Sequence, residues 1–248
     1  MKISITQKVW DIPKIEQKRF NTKELEYMLE TFNRARRGNY YITDYYHEKF
    51  VIDTPSSLIL CGHSKEIAEQ EGFGFLSRIL KPAELEWIHK MNAAGYKTLF
   101  RYPPTKRLKS VIFYDLTVRT ADGEEFILHH KVIPYKLCRN GNMWLGLCYA
   151  TISSSKKMEG RATFYNSETG ERYTLIDDEF VLSDTEPITP DDVQILKGMI
   201  KEMPTKVLAS LMKMSESNLN RKKRLLYTKL NASTGVNAIH NAHVLGII

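Results

Sequence analysis

Between Met214 and Leu230 the chain reads MSESNLNRKKRLLYTKL, and the groups there that can do chemistry are amides and cations. Asn218, Asn220, Arg221, Lys222, Lys223 and Arg224 crowd together, and from Ser217 to Lys229 there are five Lys or Arg and no acid. Amides, guanidinium and ammonium groups in such a run suit a polyanion, donating to phosphates and to base edges. Spacing adds a second face. Leu219, Leu226 and Leu230 fall at i, i+7 and i+11, one side of a helix. Ser215 is placed to cap that helix and Glu216 to face its positive end. The stretch reads as a helix that buries one side and offers the other. A basic helix alone is also what a solvated surface helix looks like.

The elements that must hold this helix lie on either side. Thr189-Pro190-Asp191-Asp192 is a dense helix start: a cap, a proline at the first position and acids in the first turn. Val193, Leu196, Met199, Ile200 and Met203 form the apolar stripe of a first helix, which Pro204 stops. Val207, Leu208, Leu211 and Met212 belong to a second helix. Met214 lies in a turn of about three residues before Ser215. Ser233 is expected to cap a fourth helix carrying Val236, Ile239, Ala242 and Leu245, closing at Gly246. Two helices joined by so tight a turn predict a helix-turn-helix, whose second member enters the major groove. Charge agrees. Of a net charge of +7, residues 188–248 carry +5 and residues 1–187 carry +2. A basic terminal domain is the footprint of a nucleic-acid binder.

The segment from Ile188 to Ile248 resembles the LuxR-type helix-turn-helix domain without a gap. The matching residues are Ile188-Thr189-Pro190, Ile195-Leu196, Leu208-Ala209, Met214-Ser215-Glu216-Ser217, Lys229-Leu230, Ala238 and Leu245-Gly246-Ile247. The resemblance implies a dimeric, DNA-binding transcription regulator whose third helix reads the major groove and whose fourth supplies much of the dimer contact. The family usually has Thr-Val-Lys where this chain has Asn218-Leu219-Asn220. The family lysine that reaches base edges is Asn220 here, and the usual histidine is Lys222. Gln194 and Val207 replace common glutamates. Asn pairs with adenine and Arg with guanine in bidentate fashion. Asn220, Arg221 and Arg224 are therefore the expected base readers. Lys206, Ser217, Asn218, Lys222 and Lys223 are expected on the phosphate backbone.

Upstream, residues 1–38 form an N-terminal helical segment. Asn21 with Glu24 looks like a capping box, Leu25, Met28, Leu29 and Phe32 follow at helical spacing, and Gly38 is a plausible C-cap. This helix could pack on the next domain or pair with a second copy. Residues 39–155 turn to strands. Expected strands are Asn39–Tyr46, Lys49–Ile52, Leu58–Cys61, Lys109–Thr120, Glu125–Pro134 and Met143–Ile152. Asp122-Gly123 and Asn140-Gly141 mark hairpins between the last three. Ser64 caps a short helix, and Pro82 opens another that presents Leu85, Ile88 and Met91 and ends before Gly95. This order resembles a PAS domain, a five-stranded antiparallel sheet with helices cupped against one face. GHSKEIAEQEGFGFLSRILKPAEL lies where such domains read Gly-Tyr-Ser, a helix and a His-Pro-Glu-Asp-Leu-like start, with His63 and Lys81 as departures. Residues 156–187 read as a β-hairpin, Arg161–Asn166 with Glu171–Ile176, and an acidic linker at Ser183–Pro187. From Ile176 to Asp192 there are seven acids and no base.

Other chemistry is not signalled. Cys61, Cys138 and Cys148 form no metal or redox spacing and read as buried free thiols. His129 and His130 adjoin in a strand and point to opposite faces, so they cannot share a metal. His89 has no second ligand signal. There are no paired carboxylates, nucleophile motif, P-loop or dinucleotide fingerprint. No cofactor, no metal and no enzymatic activity are expected. With no apolar run fit for a membrane and no secretory leader, a cytoplasmic protein is expected. The expected class is α+β: a PAS-like domain that senses a small molecule or holds a homodimer, then an all-α four-helix domain on double-stranded DNA. The alternative is an interaction module whose basic helix docks an acidic protein.

Overall fold

The computed structural model describes residues 22–36, 38–153, 162–184, 186–230 and 232–248. The expected cap at Asn21 and the expected strand start at Arg161 lie outside them. The described chain divides into two compact units. One holds the residues up to Phe164 together with Leu175–Phe180; the other holds Tyr165–Thr174 and Val181–Ile248.

The first unit begins with helix α1, Thr22–Arg36. Of its apolar stripe, Leu25 and Leu29 are buried against Ile42, Val51, Cys138, Trp144 and Leu145. Asn33 ties the helix down. Its amide donates to the Tyr40 carbonyl at 3.0 Å and to Asp53 at 2.7 Å, while its oxygen accepts the Tyr40 N–H at 2.7 Å. The choice left open by the sequence is thus met in part: α1 packs on its own unit.

Strands β1 (Tyr40–Asp44) and β2 (Lys49–Val51) form a short hairpin. The apolar run after it is not the expected strand. Leu58–Leu60 is a 3-10 turn, with Leu60 N–H on Ser57 O and Cys61 N–H on Leu58 O. A run this short carries no periodicity to separate strand from turn. Helix α2 (Lys65–Glu71) is capped by Ser64, as expected. A 3-10 turn at Gly72–Phe75 and helix α3 (Leu76–Ile79) lead to α4, Pro82–Leu99. Leu85, Ile88 and Met91 are buried. Gly95 does not follow this helix but sits inside it. A Cβ there would lie 2.7 Å from Ile112 Cδ1, so the glycine serves close approach to the sheet rather than termination.

After helix α5 (Pro104–Arg107) come the three long strands β3 (Ser110–Arg119), β4 (Glu125–Leu137) and β5 (Met143–Ser153), antiparallel in sequence. Gly123 and Gly141 both take positive φ in the hairpin turns. Then follow β6 (Ala162–Asn166), β7 (Arg172–Ile176) and β8 (Glu179–Leu182). The sheet order is β2-β1-β5-β4-β3-β6-β7-β8. The expected five strands are therefore continued by three more, and β3 is not an open edge. The expected hairpin is β6–β7. Strand β8, inside the acidic stretch, was not expected there. Asp177 and Asp178 both take left-handed φ (47° and 62°), the requirement of a two-residue hairpin turn. Phe180 then turns inward against Phe164.

The second unit ends in four helices: α6 (Pro190–Ile200), α7 (Thr205–Leu211), α8 (Glu216–Lys229) and α9 (Gly235–Val244). Their buried centre is Ile195, Leu196, Leu208, Ala209, Leu219, Leu226, Leu230, Ala238 and Ala242. Ile195 takes the place expected of Ile200, which is exposed. The cap of α9 is Thr234, one residue after the expected Ser233. Helices α6 and α7 each end on a residue of left-handed φ, Glu202 and Lys213, with the next N–H reaching back to Gly198 O and Ala209 O. Both are Schellman ends made without glycine. The stop expected of Pro204 therefore comes earlier.

Candidate nucleic-acid interface

Helix α8 is held from both ends of the second unit. At its start, Ser215 Oγ accepts the Asn218 N–H at 3.2 Å, as its position demanded. At its end, the Lys229 ammonium donates to Asp192 at 2.9 Å and to Pro187 O at 3.0 Å. The same Asp192 oxygen accepts the Thr189 N–H at 2.9 Å, and Thr189 Oγ1 accepts the Asp192 N–H at 3.2 Å. This reciprocal capping box starts α6. One carboxylate thus starts one helix and fastens another. Lys229 and Asp192 are both nearly buried, so each is the other's compensation for lost water. Close packing completes the frame: a Cβ on Gly198 would fall 2.6 Å from Leu208 Cδ1.

With Leu219, Leu226 and Leu230 turned inward, Ser217, Asn220, Arg221 and Arg224 fall on the opposite side of α8 at i, i+3, i+4 and i+7. All four are exposed, and so is Lys206 on α7. The three expected base readers therefore share one open stripe. Arg221 donates to Asn218 at 3.2 Å. Asn218 and Lys223 are half-buried on its flanks. Lys222 is placed differently from the rest: its ammonium meets Asp191 at 2.5 Å. Sequence reasoning gave Lys229 no role. Its signal was present, since the acids of Thr189–Asp192 were read only as partners of their own helix dipole.

The first unit contains another enclosed arrangement. His130 on β4 and Tyr41 on β1 bridge across β5, where Ala150 opposite His130 is small enough to let the two rings meet. Tyr114 packs on the same imidazole at 4.7 Å between ring centres. His129 points to the other face and hydrogen-bonds Asp115 at 2.7 Å. The two rings thus diverge, as strand geometry requires. Cys61, Cys138 and Cys148 are buried thiols, none of them in a disulfide. Among the described residues no group of three or more His, Cys, Asp or Glu is arranged to hold a metal, and no helix is long and apolar enough to cross a membrane.

No protein-family model matches the chain, and no curated protein sequence matches it significantly. Among the solved structures similar in chain course are several of VqmA. A Vibrio cholerae VqmA dimer in the absence of target DNA, described among LuxR-type receptors, is 13% identical with a TM-score of 0.33, over 92% of this chain and 89% of that one. A Vibrio cholerae VqmA–ligand–DNA complex is 12% identical with a TM-score of 0.31, over 92% and 90%. A phage VqmA–DPO complex is 10% identical with a TM-score of 0.29, over 90% and 88%.

Proposed function

We propose that this chain is a sequence-specific, double-stranded-DNA-binding transcription regulator of the LuxR helix-turn-helix type, acting as a homodimer. The observation that carries the reading is the stripe Ser217, Asn220, Arg221, Arg224, exposed on a helix whose other side is buried. The residues that resemble the LuxR pattern support it, because Ile188, Ile195, Leu196, Leu208, Ala209, Leu230 and Ala238 among them are buried. Within the reading, Asn220, Arg221 and Arg224 contact base edges, while Lys206, Ser217, Asn218 and Lys223 contact phosphates. Lys222 joins the phosphate contacts when it exchanges Asp191 for a phosphate. The first unit is a PAS-like sensor or dimerisation unit, supported by the order β2-β1-β5-β4-β3 with its helices between β2 and β3.

Selection of random duplexes on the purified full chain tests this. The expected product is a dyad-symmetric site whose half-sites lie about one helical turn apart. Its affinity should fall with salt, log K changing by about −0.9 per phosphate neutralised. Failure to enrich any sequence, together with binding indifferent to ionic strength, would end the proposal. One observation favours a second reading, in which α8 docks an acidic protein surface: Lys222 and Lys229 already bind carboxylates of their own chain. That reading gains if an acidic peptide binds where duplex DNA does not.

A further inference from the structure

The turn that delivers α8 holds a strained lysine. Lys213, at φ 52°, follows the last turn of α7 and stands two residues before Ser215, the cap of α8. The closure of α7 requires that conformation: Lys213 N–H donates to Ser210 O at 3.1 Å and Met214 N–H to Ala209 O at 3.0 Å. A side chain with a Cβ is strained in the left-handed region, and glycine or asparagine is the usual occupant of such a helix end. Strain kept at one position points to a use for the side chain that keeps it.

Neither packing nor pairing among the described residues supplies that use. Lys213 is exposed. No described carboxylate pairs with its ammonium, although Glu216, also exposed, follows three residues later. Surface cations of the first unit are often matched, as Lys65 is by Glu69 and Lys81 by Glu125. The dipole of α7 favours a cation at this end. Yet Glu202 holds the equivalent place after α6, at φ 53°, with the opposite charge. The helix end by itself therefore does not select lysine.

Position offers the remaining explanation. Ser217, the first residue of the open stripe, lies four residues beyond Lys213. Four residues of fully extended chain span at most about 14 Å, and here the last two are already coiled into α8. A B-DNA major groove is about 12 Å wide, and phosphates run along both of its edges. With the first turn of α8 in that groove, Lys213 stands within about one groove width of a bordering strand.

We propose that Lys213 is a DNA-backbone contact, its ammonium held against a phosphate of the strand that borders the groove entered by α8. The inference rests on the DNA-binding reading and adds to it a residue outside the reading helix. The contact is electrostatic and indifferent to base sequence.

Lys213→Asn, Lys213→Gly and Lys213→Arg in the full-length protein test it, by fluorescence anisotropy on a random-sequence duplex between about 50 and 200 mM salt. The first two substitutions suit the left-handed φ and remove the charge; the third keeps the charge. Without the charge, the slope of log K against log salt should become shallower by about 0.9. That corresponds to a loss of about fifteenfold near 50 mM, shrinking to about fourfold near 200 mM. Lys213→Arg should keep the original slope. In urea unfolding the two neutral variants should be at least as stable as the unsubstituted protein, so that weaker binding does not come from a damaged fold; if one of them folds poorly, the other carries the test. Original slope and affinity in the neutral variants would overturn the contact, and so would a slope lost equally in Lys213→Arg. Either result leaves the DNA-binding reading standing, because the unsubstituted protein still binds the duplex. If it binds no duplex at any salt concentration, the DNA-binding reading and this contact fall together.

Discussion

Asp191 is the residue that most alters what the basic helix can do. Its carboxylate occupies Lys222 at 2.5 Å on a partly exposed side of the unit. A phosphate reaching Lys222 must displace it. Asp191→Asn should therefore raise affinity for any duplex and steepen the salt dependence by about 0.9 in log K per log salt, as measured by fluorescence anisotropy on random-sequence DNA. Unchanged affinity together with an unchanged slope would mean Lys222 never meets a phosphate. Within the proposed function, Asn220 and Lys223 would separate the two kinds of contact. Asn220→Ala should cost about 1–3 kcal/mol only on operators carrying the base pair it reads, whereas Lys223→Ala should weaken all duplexes alike. The His130 imidazole makes a third test. Its folded value, about 3, lies below the unfolded value of about 6.5. The unfolded chain therefore binds the extra proton between those limits. Stability is complete above about 6.5 and is lost as pH falls toward 3, by at most about 1.4 kcal/mol per unit. Urea unfolding at pH 7 and pH 5 should show a loss of up to about 2 kcal/mol that is absent in His130→Phe. The open stripe of α8 was legible because helical spacing alone sorts Leu219 from Asn220. The Asp191–Lys222 and Asp192–Lys229 pairs were not, since they join residues more than thirty positions apart, and only the packed helices bring them together.

At the scale of elements, close approach and helix ends decide the arrangement. Gly198 allows α6 to lie against Leu208 of α7. Gly198→Ala would gain helix propensity but drive a Cβ into a buried side chain. The net effect should be a loss of about 1 kcal/mol in urea unfolding. Lys213→Gly acts in the opposite sense. It relieves a left-handed φ of 52° in the turn before α8 and should add roughly 0.5 kcal/mol. Hairpins were legible where Asp-Gly and Asn-Gly carried the turn. The Asp177-Asp178 turn was not, because two aspartates in an acidic run look like a linker until both are seen at positive φ. Gly95 misled for the complementary reason. A glycine near a helix end reads as a cap, and only the neighbouring Ile112 side chain reveals it as a site of close approach.

At the scale of the whole molecule, the division of charge and of polar burial falls on different units. The four-helix stretch that ends the second unit, residues 188–248, carries +5 of the net charge of +7. The first unit spends its polar groups inside, on Tyr41, Thr43, Tyr114 and His130. The number of strands and their order lay beyond local patterns, because β3 pairs with β4 through a short turn but neighbours β6 across a long separation in sequence. The class, mixed sheet and helix followed by helices alone, needed only the change from period two to period 3.6, and that was plain.

Asp192 has one further consequence. Because a single oxygen starts α6 and anchors the last turn of α8, α8 cannot tilt without unfastening its neighbour. In the proposed DNA-binding role, a stiff α8 would make the duplex do the bending. Operators should then differ in affinity through base steps that no side chain touches, with flexible pyrimidine–purine steps between the half-sites favoured over rigid A-tracts. Binding series that vary only this spacer would reveal the effect, and Asp192→Ala, if it folds, should blunt it.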